Sequence, residues 1–244
     1  MKVLIAGATS AIAQAIARQL AEQGATLYLV GRNAAHLTAV RDDLRVRAGA
    51  AVEMAIADLD DLSAHEQLVA QAESKLGGID LAIVAYGVLG DPEQTRCDGA
   101  ATARVLHTNL VSPASLLTSL ATRMEQRGAG TIAALSSVAG DRGRQSNYPY
   151  GAAKGGLSLF LQGLRNRLHR SGVHVLTAKL GFVDTPMTAA LPKNRLFASP
   201  DAVARGFLRA VRRRRDVVYL AWFWRPIMAV IRALPERVFK RLSL

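Results

Sequence analysis

The sequence predicts an α/β fold in which one doubly wound parallel sheet of about seven strands carries helices on both faces. Short apolar runs alternate along the chain with longer segments of helical period, as they do in successive βαβ units. The apolar runs are nearly continuous, which is typical of parallel strands covered on both faces. No repeat and no linker rich in Pro or Gly divides residues 1–244, so we predict a single domain.

Each element follows from a local pattern. Strands are predicted, in chain order, at Lys2–Ala6, Thr26–Val30, Ala51–Ile56, Asp80–Ala85, Thr131–Ser136, His174–Lys179 and Asp216–Leu220. Helices are predicted between them, where apolar residues recur at about every third or fourth position, at Ala11–Gln23, Ala34–Arg47, Leu62–Lys75, Ala101–Gln126, Tyr150–Ser171 and Asp201–Arg214. Residues 222–244 form a hydrophobic and basic C-terminal segment, which Pro226 and Pro235 are expected to divide into short helical pieces.

The composition limits the class of protein. With 50% hydrophobic and 20% charged residues, the chain is globular rather than disordered. Cys97 is the single cysteine and the five His residues lack ligand spacing, so neither a disulfide nor a metal site is predicted. The longest uncharged stretch, residues 105–122, contains His107 and Asn109, so no transmembrane helix is predicted. We expect a cytoplasmic protein.

The positive charge is concentrated near the C-terminus. Of the formal net charge of +12, most lies between Asp201 and Leu244, where eleven Lys or Arg face three Asp or Glu. Such a surface suits nucleic acid, anionic lipid, a phosphorylated substrate or plain solvent. No base-reading or stacking motif accompanies it, so no nucleic-acid partner is predicted.

A glycine turn follows the first predicted strand. Residues 7–13 read Gly-Ala-Thr-Ser-Ala-Ile-Ala, a G-x-x-x-G-x-G spacing in which Ala11 and Ala13 replace the second and third glycines. Such a turn brings backbone N–H groups and a helix N-terminus close to a pyrophosphate, although an ordinary strand-to-helix turn has a similar pattern. The candidate dinucleotide-binding residues here are Gly7, Thr9, Ser10, Ala11 and Ile12.

Residues after the next two strands are candidates for the adenosine half of that nucleotide. Arg32 and Asn33 follow the second strand, where a guanidinium suits the 2′-phosphate of NADP and a carboxylate would suit NAD. NADP(H) is therefore favoured, with NAD(H) not excluded; a solvated helix start is the alternative for Arg32. Asp58 and Leu59 follow the third strand, where Asp58 either contacts an adenine edge or caps the next helix.

Three residues predict carbonyl chemistry. Tyr150 and Lys154 are four positions apart at the start of a predicted helix and so share a face, and Ser137 ends the fifth strand. An ammonium about 4 Å from the phenol is worth roughly 4 kcal/mol at an effective dielectric of about 20, enough to bring Tyr150 towards neutral pKa. Ser137 would polarise a ketone, Tyr150 would act as the acid, and Lys154 would also hold the nicotinamide ribose.

In these motifs the chain resembles the short-chain dehydrogenase/reductase family. Further matches are Asp58, the Val84-Ala85-Tyr86-Gly87 segment, Asn109, and the loop from Gly181 to Met187. The resemblance implies a Rossmann-type domain that transfers hydride between NAD(P)(H) and a ketone or secondary alcohol, with Asn109 anchoring a water relay to Lys154. The alternative for Asn109 is a polar residue that bends the long helix. It also implies cofactor contacts from Ala85, Tyr86, Gly87, Gly181, Val183 and Thr185, and a homodimer or homotetramer through the two long helices. The family's usual Asn-Asn-Ala-Gly is absent at residues 84–87, and Leu180 replaces a proline.

The sequence determines the substrate less firmly than it determines the fold and the cofactor. Residues 82–91, 139–144 and 234–242 resemble bacterial reductases of a polyprenylphosphoryl 2-keto-erythro-pentofuranose; a lipophilic ketone and a non-catalytic NAD(P)-binding regulator are the alternatives. A stripe of Ile227, Val230, Ile231 and Leu234 either makes peripheral membrane contact or packs on the protein core. Arg142 and Arg144 either meet a substrate phosphate or are solvated.

Overall fold

A computed structural model of the chain describes residues 1–242 and contains one seven-stranded parallel sheet. Its strands are β1 (Lys2–Ala6), β2 (Thr26–Gly31), β3 (Val52–Ile56), β4 (Leu81–Val84), β5 (Thr131–Ser137), β6 (His174–Leu180) and β7 (Val217–Leu220). The strand order is β3-β2-β1-β4-β5-β6-β7, and all neighbouring strands are parallel. The predicted fold class is confirmed, and each predicted strand is present to within one residue at either end.

The helices lie on both faces of this sheet. They are α1 (Ala11–Ala21), α2 (Ala34–Ala48), α3 (His65–Leu76), α4 (Pro92–Cys97), α5 (Gly99–Leu106), α6 (Ser112–Arg127), α7 (Tyr148–Leu168), α8 (Pro200–Arg212), α9 (Trp224–Ala233) and α10 (Glu236–Phe239). One apolar cluster joins the sheet to α1, α2 and α8 through residues such as Ile16, Leu37 and Phe207. A second joins the other face to α3, α6 and α7 through residues such as Leu68 and Leu161.

Two helix predictions were wrong in detail, and one short helix was not predicted. The helix predicted at Ala101–Gln126 is split into α5 and α6 by a π-helical turn, His107–Val111. The turn forms because the Asn109 side chain donates a hydrogen bond to the carbonyl of Val105 and because Pro113 has no backbone N–H to donate. The segment predicted as Leu62–Lys75 begins with a 3₁₀ turn, and α4, capped by Asp91, was not predicted.

The C-terminal segment packs on the protein through one face. Trp224 and Met228 are 3% and 0% exposed and form a third apolar cluster with Val138. Of the stripe singled out from the sequence, Ile227 and Ile231 are half-buried against this cluster, as the core-packing interpretation has it, whereas Val230 is 65% exposed. Pro226 lies in the first turn of α9 and does not divide it, whereas Pro235 separates α9 from α10. Within residues 1–242, the helices are all too short or too polar to cross a bilayer.

The strand order creates a crevice at the centre of the sheet. The chain proceeds outward from β1 to β3 and then crosses to β4 on the other side of β1. In sheets of this kind ligands bind beyond the carboxyl ends of the strands at that reversal. A ligand site is therefore expected between the loops that follow β1 and β4.

Candidate active site

A cavity of about 430 Å³ lies beyond the carboxyl ends of the central strands. It brings together most of the residues that were singled out from the sequence, namely Gly7, Thr9, Ser10, Ala11, Ile12, Arg32, Asp58, Leu59, Ala85, Tyr86, Gly87, Asn109, Tyr150, Lys154 and Thr185. Four other candidates, Asn33, Ser137, Gly181 and Val183, are not part of its lining. His36, Asp60 and Thr108 line it and were not predicted, because no motif marks them.

The turn after β1 is shaped by Gly7. Its φ of +82° is in the left-handed region, and an added Cβ would lie 2.7 Å from the Cβ of Tyr86, so only glycine fits there. Ser10 caps α1 by accepting a hydrogen bond from the Ala13 amide at 3.2 Å. The first amides of α1 lack intrahelical partners and face the cavity at Ala11 and Ile12. Ala13 is fully buried in the core, so its methyl group does not obstruct the cavity.

At the end of β2 and β3 the candidates have different surroundings. Arg32 is exposed at the cavity, whereas the Asn33 side chain caps α2 by accepting from the His36 amide at 2.9 Å. Asn33 thus has a structural role that the sequence interpretation did not assign. Asp58 accepts from the Asp60 amide at 3.0 Å, and Asp61 instead caps the following 3₁₀ turn, so the capping alternative for Asp58 was wrong.

Behind the nicotinamide end expected from the sequence, Asn109 is completely buried. Its Nδ2 donates to the carbonyls of Val88 and Val105, both at 2.8 Å, and its Oδ1 accepts from the Val88 amide at 3.2 Å. An added Cβ on Gly87 would lie 3.3 Å from the Nζ of Lys154 and would collide with the Asn109 amide. Gly87 therefore allows the chain to pass between Asn109 and Lys154, so both lie beside the same backbone.

The remaining predicted catalytic groups surround the end of β5. The Nζ of Lys154 donates to the carbonyl of Leu135 at 3.2 Å and lies 5.8 Å from the centroid of the Tyr150 ring. Ser137 accepts from the Ala139 amide at 3.1 Å, and its hydroxyl is 3.4 Å from the carbonyl oxygen of Leu180. α7 lies close to the 3₁₀ turn that follows this strand, Val138–Asp141, since an added Cβ on Gly155 would lie 2.9 Å from the carbonyl oxygen of Gly140.

The electrostatics of this pair differ from the sequence expectation. Burial raises the pKa of Tyr150, and hydrogen bonding to Ser137 offsets only part of that shift. Burial also lowers the pKa of Lys154 to about 8. The expectation that Lys154 brings the phenol near neutral pKa is therefore wrong for the chain alone. Desolvation is the largest cause of the shift, so the phenol keeps its proton at neutral pH.

The loop after β6 rests on the C-terminal segment. The indole of Trp224 occupies the space above Gly181, where any side chain would overlap it, and its ring lies 5.4 Å from that of Phe182 in an edge-on arrangement. Val183 is buried and pairs with Ala198 in a short bridge, so its side chain belongs to the core. Thr185, by contrast, lines the cavity.

Arg142 connects the same segment to the loop that follows Ser137. It donates to the carbonyls of Ile231 at 2.8 Å and Leu234 at 2.5 Å, and its guanidinium lies 3.9 Å from the Phe239 ring centroid. It also pairs with Glu236 at 2.9 Å. Neither alternative from the sequence, a phosphate contact or a solvated side chain, holds for Arg142, because it caps the C-terminus of α9.

Arg144 is only partly exposed. Its Nη2 lies 3.4 Å from the sulfur of Met228, and its Nε is buried without a hydrogen-bond partner among residues 1–242. Burial lowers the pKa of this guanidinium. Arg144 is thus a largely desolvated cation, whereas Arg142, two residues earlier, is fully partnered.

Known proteins are similar to this chain over most of its length. A family model described as short chain dehydrogenase matches residues 1–196. An uncharacterized oxidoreductase of Mycobacterium tuberculosis (strain ATCC 25618 / H37Rv) is 40% identical over 240 residues, which cover 98% of this chain and 96% of that protein.

Solved structures share the fold. Levodione reductase has a TM-score of 0.81 and 26% identity, covering 89% of this chain and 94% of its own. A variant of actinorhodin polyketide ketoreductase, solved with NADPH, has a TM-score of 0.75 and 24% identity, covering 85% and 89%.

Proposed function

The chain belongs to the short-chain dehydrogenase/reductase family and is an NAD(P)-dependent oxidoreductase, and we propose that it reduces a ketone to a secondary alcohol with NADPH. The observation that carries this proposal is the shared cavity, which joins the N-terminus of α1 to Tyr150, Lys154 and Asn109. A helix end of the kind that suits a phosphate and a phenol that can donate a proton line the same cavity, and this supports the proposal.

The donors of this cavity fit a nicotinamide dinucleotide. The free amides at Ala11 and Ile12 suit a pyrophosphate, and the exposed guanidinium of Arg32 suits the 2′-phosphate of NADP. At the other end Lys154 keeps N–H groups beyond the one that Leu135 accepts, and these suit ribose hydroxyl groups. The cofactor, when bound, supplies the hydride.

Proton transfer is assigned to Tyr150. Because burial raises its pKa, the phenol is protonated at neutral pH and can donate to the carbonyl oxygen as the ketone is reduced. Ser137, which lies near the phenol, would hydrogen-bond to the same oxygen. The ammonium of Lys154 would stabilise the phenolate that remains, and buried Asn109 holds the backbone beside it.

The polyprenylphosphoryl 2-keto-pentofuranose is the finer substrate proposal, and a general lipophilic ketone is its competitor. Two of the three stretches that carry the first resemblance contact each other, since Arg142 binds Leu234 and Glu236. Packing between the two stretches is therefore a second reason for the likeness, separate from any substrate contact. Support for a lipid-linked substrate comes instead from Trp222 and Val230, which are 79% and 65% exposed in the basic C-terminal segment and suit peripheral membrane contact.

The assembly proposed from the family resemblance is a homodimer or homotetramer through α6 and α7. The two helices lie side by side on one face of the sheet. Light scattering of the purified chain measures this state directly.

The proposed function is tested by titrating the purified protein with NADPH and NADH, and then offering the bound cofactor a lipid-phosphate keto-pentose or a simple lipophilic ketone. Oxidation of NADPH with either substrate is the expected result. Turnover restricted to the lipid-linked sugar selects the finer proposal, and turnover restricted to the ketone rejects it. Binding of neither cofactor would refute the assignment of the cavity.

A further inference from the structure

A second cavity, of about 300 Å³, lies between α8 and β7 and shares no lining residue with the first. Its floor is apolar and is built from small or branched side chains, chiefly Ala202, Val203, Gly206, Ala210, Val218 and Leu220. An added Cβ on Gly206 would lie 2.8 Å from Leu220, so the helix approaches the strand closely at this point. The volume is at the lower end of the range for small-molecule sites, which is about 300–1,000 Å³.

Three arginines border this apolar floor. Arg209, Arg213 and Arg215 line the cavity and are exposed, and in the described part of the chain none of them forms a salt bridge. The neighbouring carboxylate of Asp216 is 3.5 Å from Arg165, and no Asp or Glu lines the cavity. Like charges gathered without a counter-ion repel one another, so an anion bound here would relieve that repulsion.

An exposed aromatic side chain marks one end of the groove. Trp222 lines the cavity and is 79% exposed, although it lies two residues after the end of β7 and Trp224, two residues further on, is buried. Indole rings favour places where an apolar surface meets water, because one edge is apolar and the N–H is polar. The groove therefore has an apolar floor, a cationic border and an amphipathic end.

We propose that this groove binds an amphiphilic anion, a single apolar chain that carries a phosphate or carboxylate head group. The chain lies on the floor between α8 and β7, and the head group lies against Arg209, Arg213 and Arg215. A second copy of the protein, whose formal net charge is +12, complements this cationic border less well than an anion does. The proposal is independent of the reaction at the first cavity.

The first experiment is calorimetric titration of the full chain with dodecyl phosphate below its micelle concentration. The expected result is saturable binding of one molecule per chain that weakens as salt is added. Inorganic phosphate alone and the uncharged dodecyl maltoside are each expected to bind at least about tenfold more weakly, because each lacks one half of the recognised chemistry. Equal binding of dodecyl maltoside, or no binding of dodecyl phosphate, would overturn the proposal.

A matched pair of variants locates the site. Arg213→Glu is expected to weaken dodecyl phosphate binding by at least about tenfold, whereas Arg212→Glu, an exposed arginine next to it that does not line the cavity, changes it by less than about twofold. Equal losses would indicate unspecific attraction and refute the site. Arg213→Gln is the milder variant if charge reversal impairs folding, and Ala202→Leu tests the floor by occupying part of it.

Vesicles identify the source of the anion. Binding to phosphatidylglycerol vesicles, competed by dodecyl phosphate, identifies a membrane lipid, and binding of the soluble amphiphile alone identifies a free one. Both results support the groove. If dodecyl phosphate does not bind and Arg213→Glu instead dissociates an oligomer, the face is an interface between copies and the proposal is wrong.

Discussion

The two ends of the main cavity hold positive charge in opposite ways. At one end Arg32 and Asp58 are both exposed and line the cavity. At the other end Lys154 is 4% exposed, its pKa is lowered to about 8 by burial, and one backbone carbonyl is its hydrogen-bond partner. A charge in solvent costs little stability, whereas a buried charge without an acidic partner lowers it. The comparison indicates that the buried charge of Lys154 lowers stability at the proposed catalytic end, whereas the exposed charges at the proposed adenosine end cost little.

The largest expected effect tests the chemistry of the buried end. Tyr150→Phe is expected to lower turnover by at least about 100-fold, because the proton donor is lost, while NADPH affinity changes by less than about twofold. Steady-state rates and fluorescence titration measure the two quantities. Tyr148→Phe is the matched control, since Tyr148 is exposed and outside the cavity lining. Undiminished turnover in Tyr150→Phe would remove Tyr150 as the acid.

Lys154→Met separates function from stability at the same end. Turnover is expected to be lost, yet the free energy of unfolding at pH 7 is expected to rise by about 3 kcal/mol, because methionine fills the site without a desolvated charge. Denaturant unfolding measures this. Lys75→Met, at the exposed end of α3, is expected to change stability little. A lower free energy of unfolding for Lys154→Met than for the wild-type chain would contradict the inference that the buried ammonium lowers stability.

The pH dependence of unfolding gives the same test without an active-site assay. The folded-state pKa of Lys154 is about 8, below its ordinary value of 10.5. Between these values the unfolded chain binds more protons, so the destabilisation is fully present below about pH 8 and disappears as the pH rises towards about 10.5. The wild-type chain should therefore gain stability over this window relative to Lys154→Met. If the free energy of unfolding depends on pH in the same way for the wild-type chain and for Lys154→Met, burial of Lys154 does not lower stability and the inference is wrong.

Arg142 and Arg144 sharpen the comparison, since one buried guanidinium is partnered and the other is not. Arg142→Ala is expected to lower the free energy of unfolding by about 1–3 kcal/mol, because the carbonyls of Ile231 and Leu234 lose a charged donor. Arg144→Ala is expected to change it by less than about 1 kcal/mol, because no hydrogen-bond acceptor other than a sulfur is lost. Thermal and denaturant unfolding measure both. Equal losses of unfolding free energy in the two variants would show that the packing contacts of each guanidinium, and not its hydrogen-bond partners, determine stability.

The smallest effect belongs to the exposed end. Arg32→Ala is expected to leave stability unchanged and to weaken NADPH by about tenfold, while NADH changes by less than about twofold, because only NADPH carries the 2′-phosphate. Arg47→Ala, exposed in the last turn of α2, is the control. Equal changes for the two cofactors would refute the 2′-phosphate role.

The local patterns of the sequence were enough to predict the sheet and much of the site. All seven strands were located, because burial on both faces leaves nearly continuous apolar runs. Gly7, Tyr150 and Lys154 were recognisable because a tight turn and a four-residue helical spacing are short-range features. An interruption of the long helix at Asn109 was predicted only as an alternative, and its π-helical form was not predicted, since it depends on whether that amide bonds to Val105 or to other groups.

What the tertiary structure alone decided lies in contacts between residues that are far apart in the chain. Arg142 binds carbonyls 89 and 92 residues later, and nothing near it in sequence marks it as a helix cap. The pKa values of Tyr150 and Lys154 follow from burial, which reversed the shift expected for the phenol. Strands, turns and helix faces are determined within a few residues, whereas desolvation and pairing depend on all the elements that meet at a point.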